Sequence, residues 1–572
     1  MQMAVLERAR READGQNPGS ELPVGRATPA HHGRRCAGKE AIDRTINFRH
    51  TLRVRPAAGG AKDEEGVRLR SGHYGIVAAL GCLMCLMGGV TMIEETAGAQ
   101  APLIAEPSPE TKDFSWMRVV TTEVPVMKHS RGSIPPMILF DGVGSDPLTD
   151  EQIHALLARG FTQHLPMSEK SIPAAKALQA AGAPVVLLDG GGGSFPSDQA
   201  GDPSLWAHQF DAGYKPKEPR RPCPGIATGW AIQADRIRDI MRKFRDAGVT
   251  VNAVWMDWEG DPYTQGSGTD CWDQARHCSR CRATLPAKLL ASHKLFDAWR
   301  RRRFYDLAGA YLAAPVLEIF PACSVLNWQA VASTPQRGLM DWEQPIEPIM
   351  PPLFTAVNPS AYGDTKWYRL CKPEYKRDRE HVDQFWMHIL LQQISDETAN
   401  RLLWTPEKPS IPWVERWLPE SDQYKLPVMT RERYRELLRH LWLRGISGMQ
   451  VFNPHWKGYE RMSVYEVLDA AMVYDEMMAY SDLIESGVPL NLKYPAAQDD
   501  GAFWSGLRLG DRAVIRVFKQ GGGRAQITVT PWPGVNISMT ADAHGETYVV
   551  TRGRPGSNEI HIEAHSEDAA LK

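Results

Sequence analysis

The chain has 572 residues, of which 43% are hydrophobic and 23% are charged, and its formal net charge is −2 at pH 7. This composition excludes collagen, a coiled coil and a wholly disordered chain. The near-neutral charge excludes a broadly basic nucleic-acid-binding protein, so no nucleic acid is expected as a partner. Tryptophan is frequent, with 18 residues, and indole rings offer large apolar faces on which a ligand can stack.

The first 99 residues do not have the pattern of a folded domain. Residues 1–70 are rich in Arg, Gly, Ala and Pro, and we interpret them as a disordered or mis-assigned N-terminal extension. Residues 71–99 contain an apolar run after a basic flank and end in Ala97-Gly98-Ala99. That pattern is typical of a signal peptide or, if uncleaved, of a membrane anchor. Either interpretation predicts an exported protein that is periplasmic, secreted or on the cell surface.

Residues 110–490 alternate short apolar runs with helical patterns. The predicted strands are 137–140, 161–166, 184–188, 249–255, 322–326, 353–357, 401–404 and 445–452. The predicted helices are 149–159, 170–181, 231–247, 288–312, 381–393 and 431–443. Near-continuous apolar runs of this kind are typical of parallel strands that are buried on both faces. Eight such units predict an α/β fold, a (β/α)8 TIM barrel whose site lies at the carboxyl ends of its strands.

A different pattern follows the barrel. Residues 496–572 contain alternating strands without an evident helix, which predicts a small all-β C-terminal domain of the β-sandwich type. The runs 513–518 and 525–530 flank three glycines and are predicted to form a hairpin. The whole fold is therefore expected to be a barrel with a β appendage.

Two carboxylates follow the fourth predicted strand. Asp257 and Glu259 flank Trp258, and residues i and i+2 of an extended chain face the same side. When two carboxylates lie close together, their repulsion raises the pKa of one of them, and that group keeps its proton near neutral pH. A general acid that cleaves a glycosidic bond needs that proton. Spacing alone also allows a pair that only forms salt bridges or binds a cation.

The strand-end Asp257-Trp258-Glu259 resembles the acid pair of the (β/α)8 glycoside hydrolases that work by substrate assistance, above all the hyaluronidase family. Ile411-Pro412-Trp413-Val414 and the segment 445–452 are similar to two later segments of that family. The resemblance implies that Glu259 protonates the leaving oxygen and that Asp257 orients a substrate acetamido group as internal nucleophile. It implies an O-glycosyl hydrolase whose poly- or oligosaccharide substrate could contain N-acetylhexosamine.

Two alternatives stay open. Many retaining barrel glycosidases place the acid after strand four and a nucleophilic Glu after strand seven. Glu407, after the predicted strand 401–404, would fill the second position, although a surface carboxylate is the simpler interpretation. An alternative from another class is a non-catalytic carbohydrate-binding or cell-envelope protein on a barrel scaffold.

Polar and aromatic residues follow the other predicted strands, where a barrel pocket lies. The predicted substrate-binding residues are Asp141, Asp189, Trp258, Asn327, Trp328, Tyr362, Trp404, Trp413, Asn453 and His455. The aromatic rings among them would stack on sugar faces, although each residue alone is also typical of a turn or a core. No cofactor is expected for cleavage by carboxylates.

A cysteine cluster follows the acid pair. Cys271, Cys278 and Cys281 lie close in sequence, His277 adjoins them, and Cys223 is a candidate fourth member. A Cys-x-x-Cys with further ligands could bind structural zinc, while an exported chain favours disulfides. Either arrangement would hold the long loop after the acid pair. A catalytic zinc is not expected, because the carboxylates already supply an acid.

Overall fold

The computed structural model describes residues 116–140, 148–189, 202–205, 207–215, 223, 225–256, 268–327, 360–362, 378–417, 428–452, 459–496, 500–553 and 559–565. The predicted extension 1–70 and the predicted signal or anchor segment 71–99 lie outside these residues. Among the helices in the described ranges, none is long and apolar enough to cross a membrane.

Eight parallel strands form one sheet. They are β1 (Met137–Leu139), β2 (Phe161–Pro166), β3 (Val186–Asp189), β4 (Ala253–Met256), β5 (Ser324–Asn327), β6 (Ser360–Tyr362), β7 (Trp413–Glu415) and β8 (Gln450–Val451). Their order in the sheet is β5-β4-β3-β2-β1-β8-β7-β6. Because β1 pairs with β8, this order is the cyclic order of a (β/α)8 barrel, which confirms the predicted fold. Within the described residues, the sheet is open between β5 and β6.

Helices alternate with these strands. They are α1 (Trp116–Glu123), α2 (Asp150–Leu157), α3 (Ile172–Ala180), α4 (Thr228–Asp246), α5 (Gly268–Arg276), α6 (Ser279–Thr284), α7 (Ala287–Ala291), α8 (His293–Ala308), α9 (Ala314–Leu317), α10 (Arg379–Trp404), α11 (Arg431–Trp442), α12 (Glu460–Met478) and α13 (Ser481–Ser486). One π-helical turn, Gly309–Ala313, joins α8 to α9.

Strand β3 shows why the apolar runs are continuous. Val186 and Leu188 pack in the barrel interior, whereas Val185 and Leu187 pack outward in the layer that contains the helices. Successive side chains of a strand point to opposite faces, and both faces of this strand are covered. The layer outside it includes the buried side of α4, with Ile237 and Phe244 fully buried.

The predicted seventh strand, 401–404, is wrong. These residues form the last turn of α10, and the seventh strand is β7. A short apolar run such as Leu402–Trp404 fits a helix turn as well as a strand, and the helix continues to Trp404, with Thr405 as its C-cap just before Pro406. The predicted sixth strand, 353–357, lies outside the described residues.

The C-terminal region is all-β, as predicted. Its strands are β9 (Val488–Pro489), β10 (Ala502–Leu509), β11 (Arg512–Lys519), β12 (Ala525–Trp532), β13 (Val535–Ala541), β14 (Glu546–Arg552) and β15 (Ile560–His565). Five of them form an antiparallel sheet in the order β15-β14-β11-β10-β9, and β12 pairs with β13 in a second sheet. Side chains from both sheets share one apolar cluster, which includes Ile515, Val529 and Trp532.

The predicted hairpin between 513–518 and 525–530 is wrong. Both edges of β11 are already paired, with β10 and with β14, so β12 pairs with β13 instead. Gly521 and Gly523 have φ of 76° and 78°, a conformation that favours glycine. They carry the chain from one sheet to the other.

Candidate active site

Five rings from five strands fill the barrel interior. We call Phe140, His164, Trp255, Trp413 and Phe452 the aromatic cluster; they lie on or directly after β1, β2, β4, β7 and β8. The ring centroids of Trp255 and Trp413 are 4.5 Å apart. The His164 ring lies 5.4 Å from Trp255 and 5.5 Å from Trp413, and Phe140 stacks on Phe452 at 5.1 Å. The cluster therefore forms an apolar aromatic floor within the strands that lead to the predicted site.

His164 is the polar member of the aromatic cluster. Its Nε2 lies 3.1 Å from Oε1 of Gln450 on β8, and the Gln450 amide donates in turn to the carbonyl of Ile411. A carbonyl oxygen only accepts, so His164 donates from Nε2. Burial lowers the pKa of His164 to about 3, and the hydrogen bond with Gln450 raises it but does not offset the effect of burial. The imidazole is therefore neutral at neutral pH, and the floor carries no positive charge there.

Strand β4 leads directly to the predicted acid pair. Ala253 and Trp255 pack in the interior cluster, whereas Val254 and Met256 pack outward. The predicted site residues that follow the strands and lie outside the described residues are Asp141, Asp257, Trp258, Glu259, Trp328, Asn453 and His455.

The backbone of three other predicted residues is placed. Asn327 and Tyr362 are the last residues of β5 and β6, at the carboxyl ends where the sequence predicts them. Trp404 is different, because it ends the helix α10 and not a strand. The prediction of Trp404 as a strand-end residue is therefore wrong, and the cause is the misassigned seventh strand.

Asp189 lies at the carboxyl end of β3, and its side chain contacts a helix. Its Oδ1 accepts a hydrogen bond from Nη2 of Arg236 on α4 at 3.1 Å, and the residue is 4% exposed. This face of β3 is the one on which Leu187 packs outward. Asp189 thus joins a barrel strand to the helix layer, and a substrate contact for it stays a prediction.

Trp413 is fully buried between the rings of His164 and Trp255. Two residues further, Glu415 ends β7 and is also fully buried. In an extended strand Glu415 shares the face of Trp413. Glu407, by contrast, is exposed after α10. Sequence reasoning missed Glu415 because it placed the seventh strand too early; the run from Ile411, bounded by Pro409, is the signal that could have located it.

The cysteine cluster differs in part from the prediction. The sulfur of Cys223 lies 3.7 Å from that of Cys278 and 3.4 Å from that of Cys281. A disulfide bond is about 2.05 Å long, so no disulfide joins these three. The fourth ligand atom of the group belongs to His208, and Cys271 is not one of the four. His277, which the sequence suggested as a neighbour, stacks on Tyr214 instead, with centroids 4.3 Å apart.

The strand order and the interior define a (β/α)8 barrel protein with its candidate site at the strand carboxyl ends. No protein-family model matches the sequence, and no curated protein matches it significantly. Solved structures to which it is similar include an α-L-fucosidase, an endoxylanase and an α-amylase. The α-L-fucosidase isoenzyme 2 from Paenibacillus thiaminolyticus aligns over 61% of this chain and 50% of its own, with 9% identity and a TM-score of 0.36.

Two further solved structures are similar in the same way. The GH30 endoxylanase from Clostridium papyrosolvens C71 has 9% identity over 75% of this chain and 98% of its own, with a TM-score of 0.34. The Anoxybacillus α-amylase has 8% identity over 73% of this chain and 98% of its own, with a TM-score of 0.39. Such likenesses establish neither an activity nor a substrate for this chain. They do not show the hyaluronidase family, so that resemblance stays a prediction.

Proposed function

We propose that the protein is an exported glycoside hydrolase that cleaves glycosidic bonds of a poly- or oligosaccharide. Glu259 is the general acid and Asp257 is the orienting carboxylate. The observation that carries the proposal is the end of β4, where Trp255 lies in the barrel interior. Asp257 and Glu259 follow Trp255 at two and four residues, so an extended chain would give all three the same face.

The chemistry follows from the two carboxyl groups. A proton retained by Glu259 passes to the glycosidic oxygen as the bond to the anomeric carbon breaks. In the substrate-assisted form, Asp257 orients an acetamido group whose oxygen attacks that carbon. Water then opens the cyclic intermediate and returns a proton to Glu259.

The aromatic cluster supports this proposal electrostatically. A carboxyl group above apolar rings has its pKa raised, because burial disfavours the charged form. Neutral His164 contributes no cation to oppose that effect at neutral pH. A raised pKa is what a general acid needs to hold its proton at working pH.

Glu415 favours a second mechanism for the same reaction. Its place at the carboxyl end of β7 would make it the nucleophile of a retaining enzyme with Glu259 as the acid. A thiazoline analogue of the cyclic intermediate would inhibit the substrate-assisted enzyme. A 2-deoxy-2-fluoro glycoside would instead label Glu415 covalently in the retaining one, and peptide mass spectrometry would locate the label.

The test is hydrolysis by the purified full chain. Reducing ends are measured on N-acetylhexosamine-containing and neutral polysaccharides, for the wild type and for Asp257→Asn and Glu259→Gln. Loss of acid catalysis should lower kcat by roughly 10²–10⁴-fold. The matched control is Glu485→Gln, since Glu485 is an exposed carboxylate on α13; its rate should equal the wild type. Wild-type rates in both site variants would contradict the proposal. Binding of a glycan that is never cleaved would favour the non-catalytic carbohydrate-binding alternative.

A further inference from the structure

Four ligand atoms converge beside the barrel. They belong to His208, Cys223, Cys278 and Cys281, and all lie within 4.8 Å of one another. The Cys281 sulfur is 3.8 Å from Nδ1 of His208. The three cysteines are 0–1% exposed. This arrangement brings three sulfurs and one imidazole nitrogen to a single buried point.

The local fold explains the convergence. Phe210 and Cys278 form an antiparallel bridge. On either side of it, the Asp211 N–H donates to the carbonyl of His277 at 2.9 Å, and the Ser279 N–H donates to the carbonyl of Gln209 at 2.8 Å. These bonds hold the segment 207–211 along the start of α6. They therefore fix His208 next to the Cys-x-x-Cys of that helix.

We infer that His208, Cys223, Cys278 and Cys281 bind one structural zinc ion. Tetrahedral zinc with Zn–S bonds of about 2.3 Å places its sulfurs about 3.8 Å apart, close to the 3.4 and 3.7 Å between these sulfurs. Thiolate and imidazole are the ligands that zinc prefers in proteins. A disulfide would use two sulfurs and would leave the third sulfur and the imidazole without a reason to converge.

The surroundings suit a metal-bound thiolate. The backbone N–H of Gln209 donates to the Cys278 sulfur at 3.3 Å, the kind of outer-shell hydrogen bond that tunes metal ligands. The His208 ring stacks on Phe210, with centroids 5.1 Å apart, which fixes the plane of the imidazole. Arg282, next to Cys281, is held by Asp211 through bonds of 2.6 and 2.8 Å. Its positive charge stabilises the net negative charge of a site made of three thiolates and one Zn²⁺.

The proposed zinc joins two connections of the barrel. His208 and Cys223 lie between β3 and α4, while Cys278 and Cys281 lie between β4 and α8. Both connections begin at strand carboxyl ends, and the second one also contains Asp257 and Glu259. With four protein ligands the site has no open position for water or substrate, so the zinc is structural. The inference does not depend on the proposed hydrolase activity.

Metal content tests the inference directly. We expect about one zinc per full-length, tag-free chain by elemental mass spectrometry. Cys278→Ser and His208→Asn should weaken zinc binding by more than the roughly 10–100-fold that loss of an outer-shell partner costs. Competition with a chromophoric chelator measures that change. The matched controls are Cys271→Ser and His277→Asn, which alter a nearby buried cysteine and an adjacent histidine outside the group; both should bind zinc as the wild type does.

Two measurements on the unmodified chain keep the test independent of how the variants fold. Replacement of zinc by Co²⁺ should give the charge-transfer and visible bands of a tetrahedral thiolate site. Alkylation of the metal-free, non-reduced chain should modify Cys223, Cys278 and Cys281, as peptide mass spectrometry can show. A chain with no zinc and no cobalt–thiolate bands would overturn the inference, and so would a disulfide within the trio. Iron in place of zinc would overturn the identity of the metal.

Discussion

His164 is kept neutral by its position inside the barrel, and this has a consequence for stability. Its ordinary pKa of about 6.5 applies in the unfolded chain, while burial lowers the pKa in the folded chain to about 3. Between these values the unfolded chain binds a proton that the folded chain does not. The contribution of His164 to the stability of the folded chain is therefore fully present above pH 6.5 and is lost as the pH falls toward 3.

We predict that His164→Phe flattens the dependence of stability on pH. The difference in free energy of unfolding between the wild type and the variant should change by up to about 1.4 kcal/mol per pH unit below pH 6.5. Urea unfolding between pH 4 and pH 7 measures it. His388 and His440 also have lowered pKa values, but they titrate in both proteins and cancel. Phenylalanine keeps a ring in the cluster, so the lost bond to Gln450 adds only a constant offset. If the free energies of unfolding of the wild type and the variant depend on pH in parallel, His164 titrates normally and the prediction is wrong.

At the same scale, some site residues could be predicted from sequence and others could not. Two cysteines of the proposed zinc site, Cys278 and Cys281, were recognisable because Cys-x-x-Cys is a local spacing, and Cys223 was recognisable only as a candidate further member. His208 was not, because its approach to Cys281 depends on the bridge between Phe210 and Cys278. Asp189 follows an apolar strand as a pocket residue would, but its side chain forms an ion pair with Arg236 of α4.

At the scale of elements, a buried ion pair joins a barrel helix to the C-terminal sheet. Arg516 on β11 donates to both carboxylate oxygens of Glu436 on α11, at 2.8 and 2.6 Å. His440, one turn along α11, lies 3.1 Å from the same carboxylate. Burial alone would raise the pKa of Glu436, but the Arg516 charge and the His440 hydrogen bond hold it well below its usual range. The pair is therefore ionised within the interface.

Removal of Arg516 should take two close bonds from the buried Glu436 carboxylate, which then keeps only Arg439 at 3.3 Å and His440 at 3.1 Å. We predict that Arg516→Met lowers the free energy of unfolding by roughly 3–5 kcal/mol, measured by urea denaturation. Adding Glu436→Leu should recover part of that loss. The matched control is Arg512→Met on the same strand, which breaks the exposed pair with Asp482 and should cost less than about 1 kcal/mol. Equal costs for the two single variants would contradict this account.

Short apolar runs predict some elements and misplace others. Strands β3 and β4 have four residues each, and the predicted strands 184–188 and 249–255 overlap them. Strand β7 has only three residues, while the last turn of α10 contains an equally short apolar run, Leu402–Trp404, so the sequence pattern does not distinguish the two. In the C-terminal region the strands were located but their partners were not, since pairing is decided by which edges are free.

At the scale of the whole molecule, the barrel helices and the C-terminal sheet share one apolar core. Leu437 and Leu441 of α11 belong to the same buried cluster as Phe503, Leu507 and Phe518 of the sheet. His440 also contacts Ser505 through Nδ1 at 2.8 Å. Apolar burial of this kind couples the unfolding of the parts that share it. The two parts should therefore depend on each other for stability.

We predict that the folded chain unfolds in one calorimetric transition. Arg516→Met should lower the midpoint of that single transition, because the lost contact lies in the shared interface. A chain that ends at Ser486 should expose the apolar surface of α11 and aggregate. Two resolved transitions, with only one of them shifted by Arg516→Met, would show that the barrel and the sheet are independent domains.

If Glu259 supplies the proton to the leaving group, the loss of activity in Glu259→Gln should depend on the acidity of that leaving group. The ratio of wild-type to Glu259→Gln kcat/KM is measured on a natural glycan and on the dinitrophenyl glycoside of the same sugar, whose leaving group needs no proton. We predict a ratio of roughly 10²–10⁴ for the glycan and a far smaller ratio for the dinitrophenyl glycoside. Equal ratios for the two substrates would contradict the assignment of Glu259 as the general acid.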